Sequence, residues 1–180
     1  MARRKLLLGN WKMNHTIAES KEFCSHSADM IKLAAEKGID IGVAPSYLSL
    51  QTVKENAGNM IVAAQDCHFA DHGAYTGFVS IPMIKELGID WCLVGHSERR
   101  LYAAETSLTC NRKIKALIEN KMTVVYCVGE SLADFEQYEQ CLDEITPVEL
   151  RKAFKEWIDL DNYVLLYLSN NKLKNETTND

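Results

Sequence analysis

Lys12 is the first residue whose type and position indicate chemistry. It lies in Gly9-Asn-Trp-Lys-Met-Asn14, just past an apolar run and between a tryptophan and a methionine. A lysine ammonium held there is a compact point charge suited to a phosphate or to a developing oxyanion. A lysine on the rim of a loop, without a ligand, is an equally good interpretation of this segment alone.

His96 is the second such residue. It opens the polar run 96–100 directly after the apolar residues 91–95, and Ser97 is predicted to cap the short helix that follows. An imidazole near a helix N-terminus has its protonated form disfavoured, so it stays neutral and donates a hydrogen bond. A lone histidine is more often structural, but a polar run at the end of a strand favours the functional interpretation.

Cys127 and Glu130 follow a third apolar run, at residues 122–128. Glu130 has the chemistry of a base, but a carboxylate that opens a helix is more often a partner of the helix dipole. Cys127 is most simply a thiol of a buried strand. We interpret both residues as structural.

His68 and His72 are residue types that bind metals, and Cys67 and Asp71 lie beside them. A histidine pair with this spacing needs a helix to bring both rings to one side, whereas Asp-His-Gly is typical of a turn. Short motifs of this kind match often by chance. We therefore expect no metal site.

Short apolar runs alternate with helix-like stretches along the chain. The predicted strands lie at residues 5–10, 39–44, 59–65, 91–95, 122–128 and 163–168. Several are continuously apolar, which is typical of strands buried on both faces in a parallel sheet. The βαβα order predicts a right-handed parallel α/β fold, whose ligands bind at the carboxyl ends of the strands.

Helices are predicted between these strands. One runs over residues 16–37, because Thr16 and Glu19 have the spacing of a capping box and Gly38 is placed to end it. Further helices are predicted after Ser46 and over residues 80–88, 105–120 and 146–157.

The composition indicates a soluble chain that forms a core. Its 180 residues are 47% hydrophobic and 25% charged, and the net charge of −5 argues against nucleic acid as a partner. No apolar run approaches a membrane span, and the run after the basic start is too short for a signal peptide. Six cysteines without C-x-x-C spacing indicate reduced thiols, so we expect a cytoplasmic protein.

Six motifs in sequence order resemble the triosephosphate isomerase family. They are Gly9-Asn-Trp-Lys-Met-Asn14, Ala44-Pro45, Ala64-Gln65-Asp66, Gly73-Ala-Tyr-Thr-Gly77, Val94-Gly-His-Ser-Glu-Arg-Arg100 and Cys127-Val-Gly-Glu130. The resemblance covers residues 5–168, roughly the first two-thirds of the family. It implies a TIM (β/α)8-barrel fold, here an incomplete barrel of about six βα units over residues 1–168. Residues 169–180 include one hydrophobic residue in twelve, and this composition predicts a polar, disordered tail. An open flavodoxin-like parallel sheet is the alternative fold.

The resemblance also implies a function and a set of site residues. The family interconverts dihydroxyacetone phosphate and glyceraldehyde 3-phosphate in glycolysis and gluconeogenesis, as a homodimer without a cofactor. By resemblance, Asn10 and Lys12 bind substrate, and Lys12 stabilises the charge of the enediolate. His96 is a neutral electrophile that polarises the substrate oxygens. Ser97 and Glu98 support the site, with Glu98 close to Lys12.

Thr76 lies, by the same resemblance, on a loop that inserts into the partner subunit and braces its catalytic lysine and histidine. This chain departs from the family in that loop, because Phe78 stands where the family has a glutamate. We expect the apolar ring to weaken the hydrogen bonding of the loop and hence dimerisation.

A larger departure falls at the predicted sixth strand. The family ends this strand in Tyr-Glu-Pro-Val-Trp, whose glutamate is the catalytic base and whose next residues form the closing lid. Here Ser169-Asn170-Asn171 follows residues 163–168, and the phosphate-binding loops after strands seven and eight are missing too. Because proton abstraction needs a base near the substrate carbon, we expect this chain alone to have little or no isomerase activity. Open sheet edges predict a tendency to associate.

A non-catalytic remnant that binds a partner or a small phosphate is the alternative function. Retention of Lys12, His96 and Glu98 favours recent descent from an active enzyme. The abrupt change after Leu168 suggests a shift of reading frame rather than gradual decay. A Glu-Pro-Val-Trp continuation in another frame of the coding DNA is the expected sign of such a shift.

Overall fold

A computed structural model describes residues 4–129, which hold five parallel strands and the helices between them. The strands are β1 (Lys5–Asn10), β2 (Ile39–Ala44), β3 (Ile61–Ala64), β4 (Trp91–Val94) and β5 (Thr123–Tyr126). The helices are α1 (Ile17–Ser25), α2 (Ala28–Glu36), α3 (Tyr47–Asn56), α4 (Ile81–Glu86), α5 (Ser97–Tyr102) and α6 (Ser107–Glu119).

The sheet order is β1-β2-β3-β4-β5, and every neighbouring pair is parallel. A flavodoxin-like sheet instead places its first strand between the second and third. The flavodoxin-like alternative is therefore wrong. Strands that each pair with the next one in sequence are the arrangement found in a TIM barrel.

The two faces of the sheet carry separate apolar clusters. On the concave face, all five strands contribute to one small cluster, whose members are Leu8, Ala44, Ala63, Trp91, Leu93 and Val125. Each strand thus contributes at least one side chain to this face. The other face packs against the helices through a larger cluster that includes Val43, Val62, Cys92, Leu50, Ile84 and Leu117.

The strand predictions agree with the structure to different degrees. β1 and β2 have the predicted bounds, and β3, β4 and β5 lie inside the predicted runs but are shorter. The predicted strand at 163–168, the predicted helix at 146–157 and the boundary at residue 168 lie outside the described residues.

The single helix predicted over residues 16–37 is wrong, because α1 and α2 are separated at residues 26 and 27. The predicted capping box at its start is present. The hydroxyls of Ser25 and Ser27 donate to the backbone carbonyls of Glu22 at 2.7 Å and Cys24 at 2.8 Å. Such bonds compete with the helical ladder, so the chain leaves the helix and starts a second one.

None of the helices in residues 4–129 is long and apolar enough to cross a bilayer. The cysteines in this part of the chain carry free thiols, and they are Cys24, Cys67, Cys92, Cys110 and Cys127. Burial raises the pKa of the Cys110 and Cys127 thiols, which keeps them protonated and unreactive.

Candidate active site

Lys12 lies in the loop after β1, in a conformation that is rare for a residue with a side chain. Its φ is 54°, which costs roughly 1–2 kcal/mol for an L-residue. Two polar side chains hold it there. The backbone N–H of Lys12 donates to Asn10 Oδ1 at 3.0 Å, and Gln65 Nε2 donates to the Lys12 carbonyl at 2.8 Å. Gln65 also donates to the carbonyl of Ala44, which anchors the loop to the end of β2.

The predicted capping role of Ser97 is wrong, because His96 itself caps α5. His96 Nδ1 accepts from the backbone N–H of Glu98 at 3.2 Å, and Ser97 is the exposed first residue of the helix. An imidazole nitrogen thus satisfies one of the unpaired N–H groups at the start of the helix. With Nδ1 occupied as an acceptor, Nε2 is the ring nitrogen left to donate a hydrogen bond.

Glu98 joins the two segments. Its Oε1 lies 2.9 Å from Lys12 Nζ, while its Oε2 lies 3.6 Å from His96 Nδ1, which is too long for a hydrogen bond. The structure therefore brings the predicted Lys12, His96 and Glu98 together at the carboxyl ends of β1 and β4. A cation and a neutral N–H donor side by side can stabilise negative charge on a phosphate or an enediolate.

The remaining predicted residues lie apart from this group. Thr76 is exposed in the loop between β3 and α4, and within residues 4–129 no hydrogen bond or ion pair joins it to Lys12 or His96. Phe78, in the same loop, packs its ring against His68 at 4.9 Å between centroids. Glu130 lies outside the described residues.

A buried network of charges also contacts α5 through Arg99, and no local sequence pattern predicted it. Lys113 Nζ donates to both carboxylate oxygens of Asp66, at 2.7 and 2.9 Å, and also pairs with Glu105. Arg99 Nη2 lies 2.7 Å from Asp66 Oδ2, and Glu105 Oε2 accepts from the N–H of Gly95 at 3.2 Å. Burial alone lowers the pKa of Lys113, but the hydrogen bonds to both carboxylates outweigh it and raise that pKa. The sequence feature that could have indicated this network is Asp66, an acidic residue two positions after the end of β3.

Arg100 fixes the other side of α5. Its Nε donates to the carbonyl of Gly95 at 2.9 Å, and its Nη2 lies 3.1 Å from the hydroxyl of Tyr126 on β5. A Cβ at Gly95 would lie 2.8 Å from the Tyr126 ring, so only glycine fits between the two strands here. Arg99 and Arg100 thus hold the helix whose first turn carries His96 and Glu98.

The curled parallel sheet, whose strands each pair with the next one in sequence, is that of a partial (β/α)8 barrel, and a lysine and a histidine lie at its carboxyl edge. A family model, Triosephosphate isomerase, matches residues 5–167. The chain belongs to the triosephosphate isomerase family.

Curated relatives agree with this assignment. The chain is 39% identical over 170 residues to the triosephosphate isomerase of Chlorobium phaeobacteroides, a match that covers 92% of this chain and 66% of the relative. It is 38% identical to that of Chlorobium chlorochromatii, with 92% and 65% covered, and 42% identical to that of Mycoplasma capricolum, with 75% and 53% covered. The chain thus spans no more than about two-thirds of the length of these relatives.

Proposed function

We propose that this chain supplies the substrate-polarising half of a triosephosphate isomerase site. Asn10 and Lys12 bind a triose phosphate, and His96 polarises its carbonyl group. The observation that carries this proposal is the contact of Glu98 with Lys12 beside His96, whose Nδ1 accepts the N–H of Glu98 and leaves Nε2 to donate. The names of the relatives support the choice of substrate.

The chemistry follows from where charge develops during enolisation. When a proton leaves the carbon beside the carbonyl, negative charge grows on the oxygen. His96 Nε2–H donates to that oxygen, and the ammonium of Lys12 offsets its charge. A single donor of this kind is worth roughly 3–4 kcal/mol in other enzymes. The N–H of Glu98 occupies Nδ1 as an acceptor, so Nε2 is the ring nitrogen that donates.

We propose that the 180-residue chain binds substrate but does not enolise it efficiently. The family motif that carries the basic glutamate is replaced by Ser169-Asn170-Asn171. With water as the only base within reach, the carbon beside the polarised carbonyl loses its proton far more slowly than it does to a positioned carboxylate.

Deuterium exchange of dihydroxyacetone phosphate tests both parts of this proposal. With the purified chain in D2O, we expect saturation-transfer NMR to show bound substrate, while the C–H signal decays far more slowly than with a full-length relative. Lys12→Met should abolish binding, and Lys37→Met, which changes an exposed lysine beyond α2, should preserve it. Exchange at the rate of a full-length relative would refute the inactive assignment. Equal binding by Lys12→Met and the unmodified chain would refute the site.

A second candidate function is binding of a small phosphate with no role for the carbonyl group. The exposed ammonium of Lys12 alone would suffice for it. Glycerol 3-phosphate, which lacks the carbonyl, separates the candidates. We expect dihydroxyacetone phosphate to bind about fivefold tighter, since one hydrogen bond from His96 is worth about 1 kcal/mol, and His96→Ala to erase that preference. Equal affinities for both phosphates would favour the second candidate.

We also propose that two copies of the chain associate through the loops at this end of the sheet. Large apolar side chains are exposed in the segments that follow β1, β2, β3 and β4, and they are Met13, Leu48, Tyr75, Phe78, Leu101 and Tyr102. Exposed apolar groups concentrated at one end of a domain mark an interaction surface. Sedimentation equilibrium should show a dimer, and Leu101→Asp should dissociate it. Met83→Asp changes an exposed residue of α4 and is the control, which should remain dimeric. A monomer at all concentrations would refute this association.

A further inference from the structure

The loop between β3 and α4, residues 66–80, is built around one imidazole ring. His68 is only 6% exposed, although it lies outside the sheet. Its ring packs against three aromatic rings of the same loop, with centroid distances of 4.3 Å to Phe69, 4.1 Å to Tyr75 and 4.9 Å to Phe78. Aromatic contacts at these separations contribute beyond the burial of their area.

Hydrogen bonds fix this ring at the base of the loop. The backbone N–H of His68 donates to the carbonyl of Val79 at 2.8 Å, and His68 forms a parallel bridge with Ser80. Nδ1 accepts from the N–H of Ala70 at 3.0 Å, which sets the orientation of the imidazole. The loop is thus closed where it begins and ends, and the imidazole is covered by the three aromatic rings, of which Tyr75 and Phe78 also remain partly exposed.

Two of those partners bracket Thr76. Tyr75 precedes it, and Phe78 follows after Gly77, whose φ of 85° suits glycine. The N–H of Phe78 donates to the carbonyl of Tyr75 at 3.1 Å, which closes a tight turn around Thr76. Tyr75 and Phe78, on either side of the Thr76-Gly77 pair, therefore both contact the ring of His68.

We propose that His68 is the positioning residue of this loop. Its ring holds Tyr75 and Phe78 and thereby keeps Thr76 in the conformation that docks on a second copy of the chain. The docking step rests on the proposed dimer, whereas the anchoring of the loop does not. Phe78, which replaces the glutamate of the family, contributes a ring contact in place of hydrogen bonds.

Native-state proteolysis with chymotrypsin tests the anchoring, because the loop contains its own cleavage sites at Phe69, Tyr75 and Phe78. Loss of the ring contacts makes local opening of the loop more favourable. We expect His68→Ala to raise the rate of cleavage in this loop about tenfold. His72→Ala, which removes an exposed histidine from the same loop, is the matched control and should leave the rate unchanged.

Sedimentation equilibrium on the same variants tests the docking step. We expect the dimer dissociation constant to rise about tenfold in His68→Ala and not in His72→Ala. Faster cleavage of His68→Ala in a chain that is never dimeric would retain the anchoring role and refute the dimer. Cleavage of His68→Ala at the unmodified rate, or equal acceleration by His72→Ala, would overturn the inference whatever the oligomeric state.

Two further variants decide the matter if His68→Ala does not fold. His68→Phe keeps an aromatic ring without the Nδ1 acceptor, and His68→Gln keeps an acceptor without the ring. The inference expects His68→Phe to be cleaved near the unmodified rate and His68→Gln much faster. The opposite order would overturn it and assign the loop conformation to the bond from Ala70.

Discussion

Two clusters of charged residues meet at α5 and differ in their contact with water. Glu98 belongs to the exposed cluster with Lys12, and the next residue, Arg99, belongs to the buried cluster with Asp66. The side chains of Lys12 and Glu98 are 51% and 43% exposed, whereas those of Asp66 and Lys113 are each 5% exposed. Exposed ion pairs contribute about 0–1 kcal/mol to stability, whereas a buried charge is tolerated only when it is fully paired.

The difference in exposure suits the two clusters to different roles: the exposed cluster can exchange a ligand, and the buried cluster can hold α5 in place. An ammonium that already contacts water can exchange the carboxylate of Glu98 for a phosphate at little cost, so the exposed pair suits a ligand. The buried network cannot exchange partners without leaving a charge uncompensated. It therefore fixes α5, whose first turn presents His96 and Glu98.

Among the substitutions in the two clusters, Lys113→Met should lower the free energy of unfolding most. It removes the cation that pairs with both Asp66 and Glu105 and leaves two buried carboxylates with too few partners. We expect the free energy of unfolding to fall by about 3–5 kcal/mol, measured by urea denaturation followed by circular dichroism. Lys115→Met, on the exposed face of the same helix, should change it by less than about 0.5 kcal/mol. Similar losses in both variants would show that the buried network has no special role.

Alkaline pH should weaken the buried network in a predictable direction. Burial lowers the pKa of Lys113, but its hydrogen bonds to Asp66 and Glu105 raise it above the usual value. The contribution of Lys113 to stability is therefore complete below the unfolded pKa of about 10.4 and is lost as the pH rises through the higher folded pKa. Urea midpoints between pH 9 and pH 12 should fall more steeply for the unmodified chain than for Lys113→Met, which retains the same thiols and tyrosines. Parallel slopes would contradict this assignment.

Local patterns predicted the parts of the fold that depend on neighbouring residues. β1 and β2 have the predicted bounds because each is an apolar run that ends at polar residues or at Pro45. Periodicity failed at residues 26 and 27, because it does not include serine hydroxyls that bind backbone carbonyls. The residue type of Ser97 also led to a wrong cap, because His96 Nδ1 accepts the hydrogen bond from the N–H of Glu98 instead.

The candidate site shows the same division. Lys12 and His96 were found because each stands out at the end of a strand, but the link through Glu98 came only from the family resemblance. Asp66 and Lys113 are 47 residues apart in the chain, so no local pattern connects them. Their pairing depends on the loop after β3 and helix α6 meeting in three dimensions, which a single sequence does not state.

Glu98→Gln should have the smallest effect on the free energy of unfolding. Glu105→Gln makes the same chemical change in the buried cluster, so the two variants compare an exposed with a buried carboxylate directly. Loss of the exposed carboxylate should change the free energy of unfolding by less than about 1 kcal/mol, and 0.5 M NaCl should erase the difference because salt screens exposed charges. Glu105→Gln should cost about 1.5–3 kcal/mol at either salt concentration, because its carboxylate bonds buried Lys113 and the N–H of Gly95. Equal, salt-sensitive losses of stability in the two variants would mean that burial does not distinguish the two clusters. The exposed and the buried carboxylate would then contribute equally to stability.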